Sequence, residues 1–440
     1  MNKEELGRKI ISVLQNAGHE AYFAGGCVRD RERGVTPKDY DIATSALPEE
    51  VMHLFPKTVP VGLAFGVVLV IEEGIHFEIA TFRTERNYRD GRHPSEVTFS
   101  NLENDSKRRD FTVNGLYWDI KTNQIVDNVG GRDDIQKKII RTIGLPDQRF
   151  KEDHLRMMRA IRFSVQLGFE IEPQTFDAIK QHAADIEKVS HERIRDELSK
   201  ILSSPNPSRG IRLLDETGLA SHFLPELELM KGVEQPSEYH PEGDVYVHTL
   251  MLLDGLANAE LELAMGALLH DVAKPATFTR GPDRIRFHGH DVLGAQMSKE
   301  ICKRLAFSND QTELICSLVL EHLRFKDVFK MRVSTLKRFM SLPRFDLHLE
   351  LHRLDCMASH KNLDAYHFAK TKYEDFLKLP PPPLKLISGE DLKQMGFAPG
   401  PLFSEILGQV EDQILEGKIE QKEQAIQFVN ENFQSQRERK

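Results

Sequence analysis

Hydrophobic positions near the N-terminus recur at helical spacing: Leu6, Ile10, Ile11 and Leu14 share one face and predict an amphipathic helix. Four short apolar runs follow, AYFAG (21–25), DYDIAT (39–44), GVVLVIE (66–72) and HFEIATF (76–82), and read as strands. The segment PEEVMHLF, between the second and third, reads as a helix. Strands mixed with helices over the first 145 residues predict a small α/β domain. From residue 146 the strand signals vanish and helical periodicities take over, with Pro/Asn breaks at 205–207 and 236–243. We place boundaries at 1–145, 146–235, 236–370 and 384–440, giving an α+β chain. The run Pro380–Pro383 predicts a stiff extended spacer before the last unit.

At 440 residues the chain is too long for one core, in keeping with several domains. Its longest unbroken apolar run, Val67 to Ile71, cannot cross a bilayer, which needs about 20 residues. The start, MNKEELGRKI, has no signal-peptide core, and the cytoplasm is the expected compartment. Four scattered cysteines without CxxC spacing argue against a disulfide framework or a thiolate zinc site. A net charge of −9 argues against non-specific polyanion binding and turns attention to local basic segments. Residues 130–163 are one, with nine basic and five acidic side chains. They suit an RNA stem held by its phosphates, or an ordinary solvated helix face.

Asp39-Tyr40-Asp41 lies in a predicted strand, where residues i and i+2 share a face. Asp39 and Asp41 would therefore face one way, with Tyr40 and Ile42 in the core. Glu78, flanked by core residues of a later strand, could join them. Three converging carboxylates suit a hard cation such as Mg²⁺ and phosphoryl chemistry. Gly25-Gly26, between a strand and a helix start, can offer free N–H groups to a phosphate. A lone DxD pair is otherwise a solvated edge-strand face. Glu152–Arg156 predicts a helix in which Asp153 and Arg156 share a face, either as a simple ion pair or as a base-reading carboxylate and guanidinium. Arg108-Arg109-Asp110 puts two cations beside Asn114, one helical turn on, or makes ordinary local ion pairs. Residues 83–106 read as a long polar loop. Farther on, His248, His270-Asp271, His290, His322 and Asp355 sit on successive predicted helices, as a one- or two-metal phosphohydrolase site requires. His288 and His360 are poorer candidates.

Together Gly25-Gly26-Cys27-Val28-Arg29-Asp30, Asp39-Tyr40-Asp41, Arg83-Thr84-Glu85, Asp90–Pro94, Arg108–Asn114 and Glu152–Arg156 resemble the motifs of class II tRNA nucleotidyltransferases (CCA-adding enzymes) and bacterial poly(A) polymerases, in that family's order. The resemblance covers residues 20–230. It implies a polymerase-β-like mixed-sheet head followed by an elongated all-α neck, body and tail. Asp39 and Asp41 would hold catalytic Mg²⁺ with help from Glu78. Gly25, Gly26, Arg29, Arg108, Arg109, Asp110, Asn114, Asp153, Arg156 and Arg159 would bind nucleotide, with Asn114 on sugar or phosphate and the Asp153–Arg156 pair selecting C and A. Residues 83–106 would be the flexible loop needed for adding the terminal A. CTP, ATP and a tRNA 3′ end would be the partners, with no membrane.

The histidine region resembles the HD phosphohydrolase superfamily. Its ligands would match His248, His270, Asp271 and Asp355, with His290 and His322 completing a second site for a divalent transition metal. The expected function is CCA addition with an accompanying HD phosphohydrolase. The alternatives are A-addition alone, a poly(A) polymerase, or an HD hydrolase carrying a relic RNA-binding head.

Overall fold

The computed structural model describes residues 1–88, 94–236, 238, 240–282, 284–378 and 385–436. The chain divides into two compact units, one of residues 1–229, 256–264 and 301–307, the other of 230–255, 265–300 and 308–440.

In the first unit, helix α1 (Lys3–Asn16) is capped by Asn2 and buries Leu6, Ile10, Ile11 and Leu14. It packs beside β1 (Ala21–Ala24), and Gly7 is needed there because a Cβ would meet the Phe23 ring at 2.6 Å. The chain continues through α2 (Gly26–Glu32), β2 (Asp41–Thr44), α3 (Pro48–Leu54), β3 (Thr58–Gly62), β4 (Val67–Glu72) and β5 (Ile75–Thr81). Next come β6 (Arg83–Tyr88), β7 (Pro94–Phe99), α4 (Leu102–Arg108), β8 (Leu116–Asp119) and β9 (Gln124–Asp127). A seven-stranded sheet runs β3-β4-β5-β2-β1-β8-β9, parallel between β2 and β5 and antiparallel elsewhere. Phe23 stacks on Trp118, with ring centroids 5.2 Å apart, and Tyr40 closes the same core.

Residues 83–106 are not one long loop: β6 and β7 form an antiparallel hairpin with Arg83 opposite Phe99, and α4 follows. The motif residues Asp90–His93 lie outside the described residues. After α5 (Gly131–Lys137) come α6 (Pro146–Glu152), α7 (Arg156–Leu167), α8 (Pro173–His182), α9 (His191–Leu202) and α10 (Pro207–Glu216).

The second unit is helical but not purely so. Phe278–Arg280 pairs with Ile285–Phe287 in a small hairpin, in a stretch expected to lack strands. Around it lie helices Val245–Asp254, His290–Arg304, Asn309–Glu321, Val333–Met340, Phe345–Ala358 and Asp364–Leu377, with a 3₁₀ segment at His322–Lys330. One core is aromatic, built on Phe325, Phe339 and Phe345. Another joins the last helices through Leu392, Ile406, Val410 and Val429. The expected linker Pro380–Pro383 falls outside the described residues.

Candidate nucleotidyl-transfer and metal sites

A cavity of about 950 Å³ opens in the first unit. Its lining includes Gly25, Gly26, Arg29, Asp39, Asp41, Arg108, Arg109, Asp110, Asn114, Asp153, Arg156 and Arg159, so all the singled-out head residues except Glu78 meet there. That volume is in the range of small-ligand sites. Strand β1 delivers the chain to Gly25, whose φ of +70° suits glycine, and a Cβ there would also meet Arg109 at 2.9 Å.

Asp41 opens β2, while Asp39 lies just before it, contrary to the expectation that both sit in the strand. Asp39 is 83% exposed and bonds to Lys3 at 2.7 Å. Tyr40 and Ile42 are core residues, as expected. Glu78 projects from β5, whose Ile79 pairs with Ile42, and so neighbours Asp41 without lining the cavity. Burial raises the Asp41 pKa above the ordinary carboxylate value, and the charges of Glu78 and Asp39 add to the rise against an opposing Arg109. Arg109 and Lys3 offset this rise only in part, so a divalent cation fits this carboxylate.

Glu152 to Arg156 is not one helix. Helix α6 ends at Glu152, and Asp153 has φ −142° and ψ 105°. The Asp153 side chain accepts from the Leu155 N–H at 3.1 Å, a local bond that competes with helix continuation. Asp153 and Arg156 each have a partner of their own. Asp153 takes the Arg193 guanidinium at 3.1 and 3.2 Å, while Arg156 donates to Glu152 at 2.6 Å and to the Arg149 carbonyl at 3.0 Å. Both still face the cavity. Leu155 and Met158 are buried as expected.

Arg109 donates to the Tyr117 hydroxyl at 2.9 Å, and Arg108 pairs with the buried Asp105 at 2.8 Å. Asn114 is spoken for: its oxygen accepts from Arg29 at 2.8 Å and its amide donates to Asp110 at 3.1 Å. Arg159 donates to Asp110 through Nε at 2.9 Å. Burial works against the Asp110 carboxylate, but Arg159 and Asn114 outweigh it and hold its pKa below the usual range. The basic segment 130–163 is not a continuous surface strip. Arg149 is buried and clasps the Arg109 carbonyl at 2.6 Å, whereas Arg156, Arg159 and Arg162 line the cavity. Residue reading missed Arg193 and Glu197, which hold Asp153 and Arg162 from distant segments, and Asp105, which holds Arg108 and Arg109 from one helical turn before them.

A second cluster lies within the other unit. Asp271 Oδ2 is 3.2 Å from His270 Nε2 and 3.9 Å from His248 Nε2; Oδ1 is 3.4 Å from His290 Nε2 and 3.9 Å from His322 Nε2. His248 Nε2 is also 3.1 Å from Asp355. The four histidines expected there thus converge on the Asp271 carboxylate, and Asp355 joins through His248. Two metal-type groups share it, His248–His270–Asp271 and Asp271–His290–His322. Neither Asp271 oxygen nor His270 Nε2 makes a well-directed hydrogen bond, although all are buried, which fits a bound cation. Burial, with His270 adding to it, lowers the His322 pKa to about 4, keeping the ring in its ligating neutral form. Burial also opposes protonation of His248, but Asp355 and Glu242 outweigh it and raise that pKa to about 9. A second cavity, of about 400 Å³, opens beside this cluster and is lined by Asp271, Lys274, His290, His322 and Asp355; His288 also lines it, His360 bonds to the Asn362 N–H, and neither joins the cluster. Glu242, 2.7 Å from His248 Nδ1, and Lys274, 2.7 Å from Asp271, were not foreseen.

Sequence families match along the chain: a Poly A polymerase head domain over residues 21–141, a probable RNA and SrmB-binding site of polymerase A over 168–230, and an HD domain over 244–342. A CCA-adding enzyme of Bacillus cytotoxicus is 34% identical over 435 residues, spanning 97% of this chain and 98% of that one. The Geobacillus stearothermophilus CCA-adding enzyme is 48% identical over 226 residues, a match spanning 51% of this chain and 55% of the relative. The crystal structure of the Bacillus stearothermophilus CCA-adding enzyme in complex with CTP superposes with a TM-score of 0.74 at 29% identity, covering 99% of this chain and all of that one. The Thermotoga maritima CCA-adding enzyme complexed with tRNA shares the fold, with a TM-score of 0.60 at 20% identity and coverage of 98% and 95%. Among the described residues, no helix is long and apolar enough to cross a membrane.

Proposed function

We infer that this chain, which belongs to the CCA-adding enzymes and is a nucleotidyltransferase, completes tRNA 3′ ends by adding CMP and AMP from CTP and ATP. The observation that carries this reading is the single cavity lined both by Asp39 and Asp41 and by Asp153 and Arg156. Carboxylates for phosphoryl transfer and a donor–acceptor set for a base are both present, and a mere RNA-binding module needs neither.

Asp39 and Asp41, with Glu78 adjacent, would hold Mg²⁺. When bound, this ion lowers the cost of charge on the attacking hydroxyl and the departing pyrophosphate. The protein's own groups do the rest. Arg29, Arg108 and Arg109 present guanidinium groups to the triphosphate. Asn114 fixes Arg29, and Asp110 fixes Arg159, so these cations are set before nucleotide arrives. Asp153 accepts from the exocyclic amine that C and A share, and Arg156 donates to a ring acceptor, while U and G present the wrong pattern. Arg193 and Glu152 hold these two readers separately.

The test supplies tRNA acceptors ending at the discriminator base, at C and at CC with each nucleotide separately. CTP use on the first acceptor supports CCA synthesis. ATP use confined to the CC end would mean A-addition alone, and long A-tails on any RNA would mean a poly(A) polymerase.

A second reading stands beside the first, on the Asp271 carboxylate shared by two groups of imidazoles. The HD cluster would bind one or two divalent transition metals through His248, His270, Asp271 and Asp355, and through His290 and His322. Such ions supply Lewis-acid activation of a phosphoester. Lys274 faces the same carboxylate and the same cavity, where its ammonium adds positive charge for an anionic substrate.

A further inference from the structure

Residues 322–344 carry seven Lys and Arg side chains against the single carboxylate of Asp327, in a chain whose net charge is −9. Neighbours occupy some of these cations: Arg324 pairs with Glu321, and Arg338 with Glu411 and Asp412. Lys326, Lys330 and Arg332 are exposed and have no ion-pair partner among the described residues. Their order matters. The 3₁₀ segment begins at His322 of the metal-type cluster, and Lys326, just over a turn later, lines the same cavity. Phe329 follows, 57% exposed, with its ring 4.9 Å from that of Phe368. Lys330 and Arg332 come next, outside the cavity lining.

A free phosphate or a mononucleotide would need only the cavity. Exposed cations continuing outside its lining, with an exposed aromatic ring between Lys326 and the next of them in sequence, match a ligand that repeats its phosphates and bases along a strand. We propose that Lys326, Phe329, Lys330 and Arg332 form a track for single-stranded RNA whose 3′-terminal phosphoester lies at the Asp271 cluster. This rests on the phosphohydrolase reading of that cluster. It adds that the substrate is a polynucleotide end, with Lys326 at the terminal phosphate and Phe329 stacking a base one or two nucleotides upstream.

The full chain, supplied with Ni²⁺ or Mn²⁺, is tested in two arms. In the first, RNA about twelve nucleotides long, with a 3′-phosphate and 4-thiouridine near that end, is photo-crosslinked and mapped by peptide mass spectrometry. A crosslink within residues 322–344 that is lost in Lys330→Glu/Arg332→Glu is the expected result. Crosslinks elsewhere only, or ones indifferent to the charge reversal, overturn the track. In the second arm, 3′-phosphate release is compared for the mononucleotide and the same RNA. The RNA should have a KM lower by about tenfold, rising steeply with salt, and the double variant should lose that advantage while hydrolysing the mononucleotide as wild type does. Equal KM values for the two substrates also overturn the track while leaving the phosphohydrolase reading intact. Crosslinking without any hydrolysis overturns the phosphohydrolase reading and, with it, the placement of the RNA end at the Asp271 cluster.

Discussion

Replacing Asp153 by Asn changes one atom's hydrogen-bonding sense and leaves the shape of the cavity unchanged. Arg193 supplies the reason the outcome has a direction. Its guanidinium sits 3.1 and 3.2 Å from the two Asp153 oxygens, and a donor there requires an acceptor facing it. In Asp153→Asn the amide oxygen must turn to Arg193, and the NH₂ then points away from it, toward the cavity. A site that would accept from the amine of C or A would then donate, which matches the carbonyl of U or G. Losing a charge-assisted bond to the amine costs about 1.5–3 kcal/mol, a factor of about 10 to 150 in the CTP:UTP ratio of kcat/KM. The assay is single-nucleotide addition to an acceptor ending at the discriminator base, with CTP and UTP in separate reactions and melting temperature as the folding control. Asp153→Ala should lower selectivity without creating a preference for UTP. A folded Asp153→Asn enzyme with an unchanged CTP:UTP ratio would refute the base-reading role and leave Asp153 as a fixture for Arg193.

Three further outcomes follow from the packing. Arg162 and Glu197 form a buried pair at 3.1 Å, so Glu197→Leu should cost about 3–5 kcal/mol in chemical denaturation by leaving a guanidinium unpaired, and Arg162→Met/Glu197→Leu should recover most of it. Burial lowers His348 and His352 to about 4, against about 6.5 in an unfolded chain, so each stabilises the fold above the unfolded value and loses that contribution as pH falls toward 4. Peptides of helix Phe345–Ala358 should therefore exchange amide hydrogen faster at pH 5 than at pH 7, after correction for the intrinsic rate, by an amount equivalent to about 1–3 kcal/mol. Asp271→Asn should abolish high-affinity Mn²⁺ binding at the cluster in calorimetry yet leave CTP addition near wild type; simultaneous loss of both would merge the two sites into one function.

Local patterns carried much of this structure, and they stopped where a partner lies far along the chain. Helix α1, four strands and the core positions Tyr40 and Ile42 follow from alternation and helical spacing alone. The HD residues were visible because imidazoles and carboxylates are rare enough at helix spacing to stand out. What failed was local geometry under tertiary control. Asp153 bonds the Leu155 N–H and breaks the helix that its neighbours favour, and its cation comes from 40 residues on. The polar stretch after Phe82 has no apolar alternation, yet its backbone pairs from Arg83–Phe99 to Tyr88–Pro94. Glu242 sits among His240, Gly243 and Asp244, residues that read as a turn, and only the fold brings it to His248.

The two carboxylate sites solve opposite electrostatic problems, and that difference separates their behaviour toward metal. At the head, Asp39 is largely in water and Asp41 is burdened by burial and by two like charges, so the site offers charge without an enclosed shell. Water competes well for a hard cation there, and binding gains most when a nucleotide's phosphates share the ion. At the HD cluster, Asp271 is 1% exposed and ringed by four imidazoles and an ammonium, so the carboxylate is ionised and its ligands are oriented before any cation arrives. Glu242 Oε1 lies 2.7 Å from His248 Nδ1 while Nε2 lies 3.1 Å from Asp355 and 3.9 Å from Asp271, the placement in which an outer carboxylate raises ligand basicity. Metal held at the head would therefore be shared with nucleotide and exchange with each turnover, whereas metal held at the HD cluster would be a resident of the fold. Brief chelation followed by added Mg²⁺ should restore nucleotide addition at once, while the HD cluster gives up its ion slowly and regains it only from a transition metal.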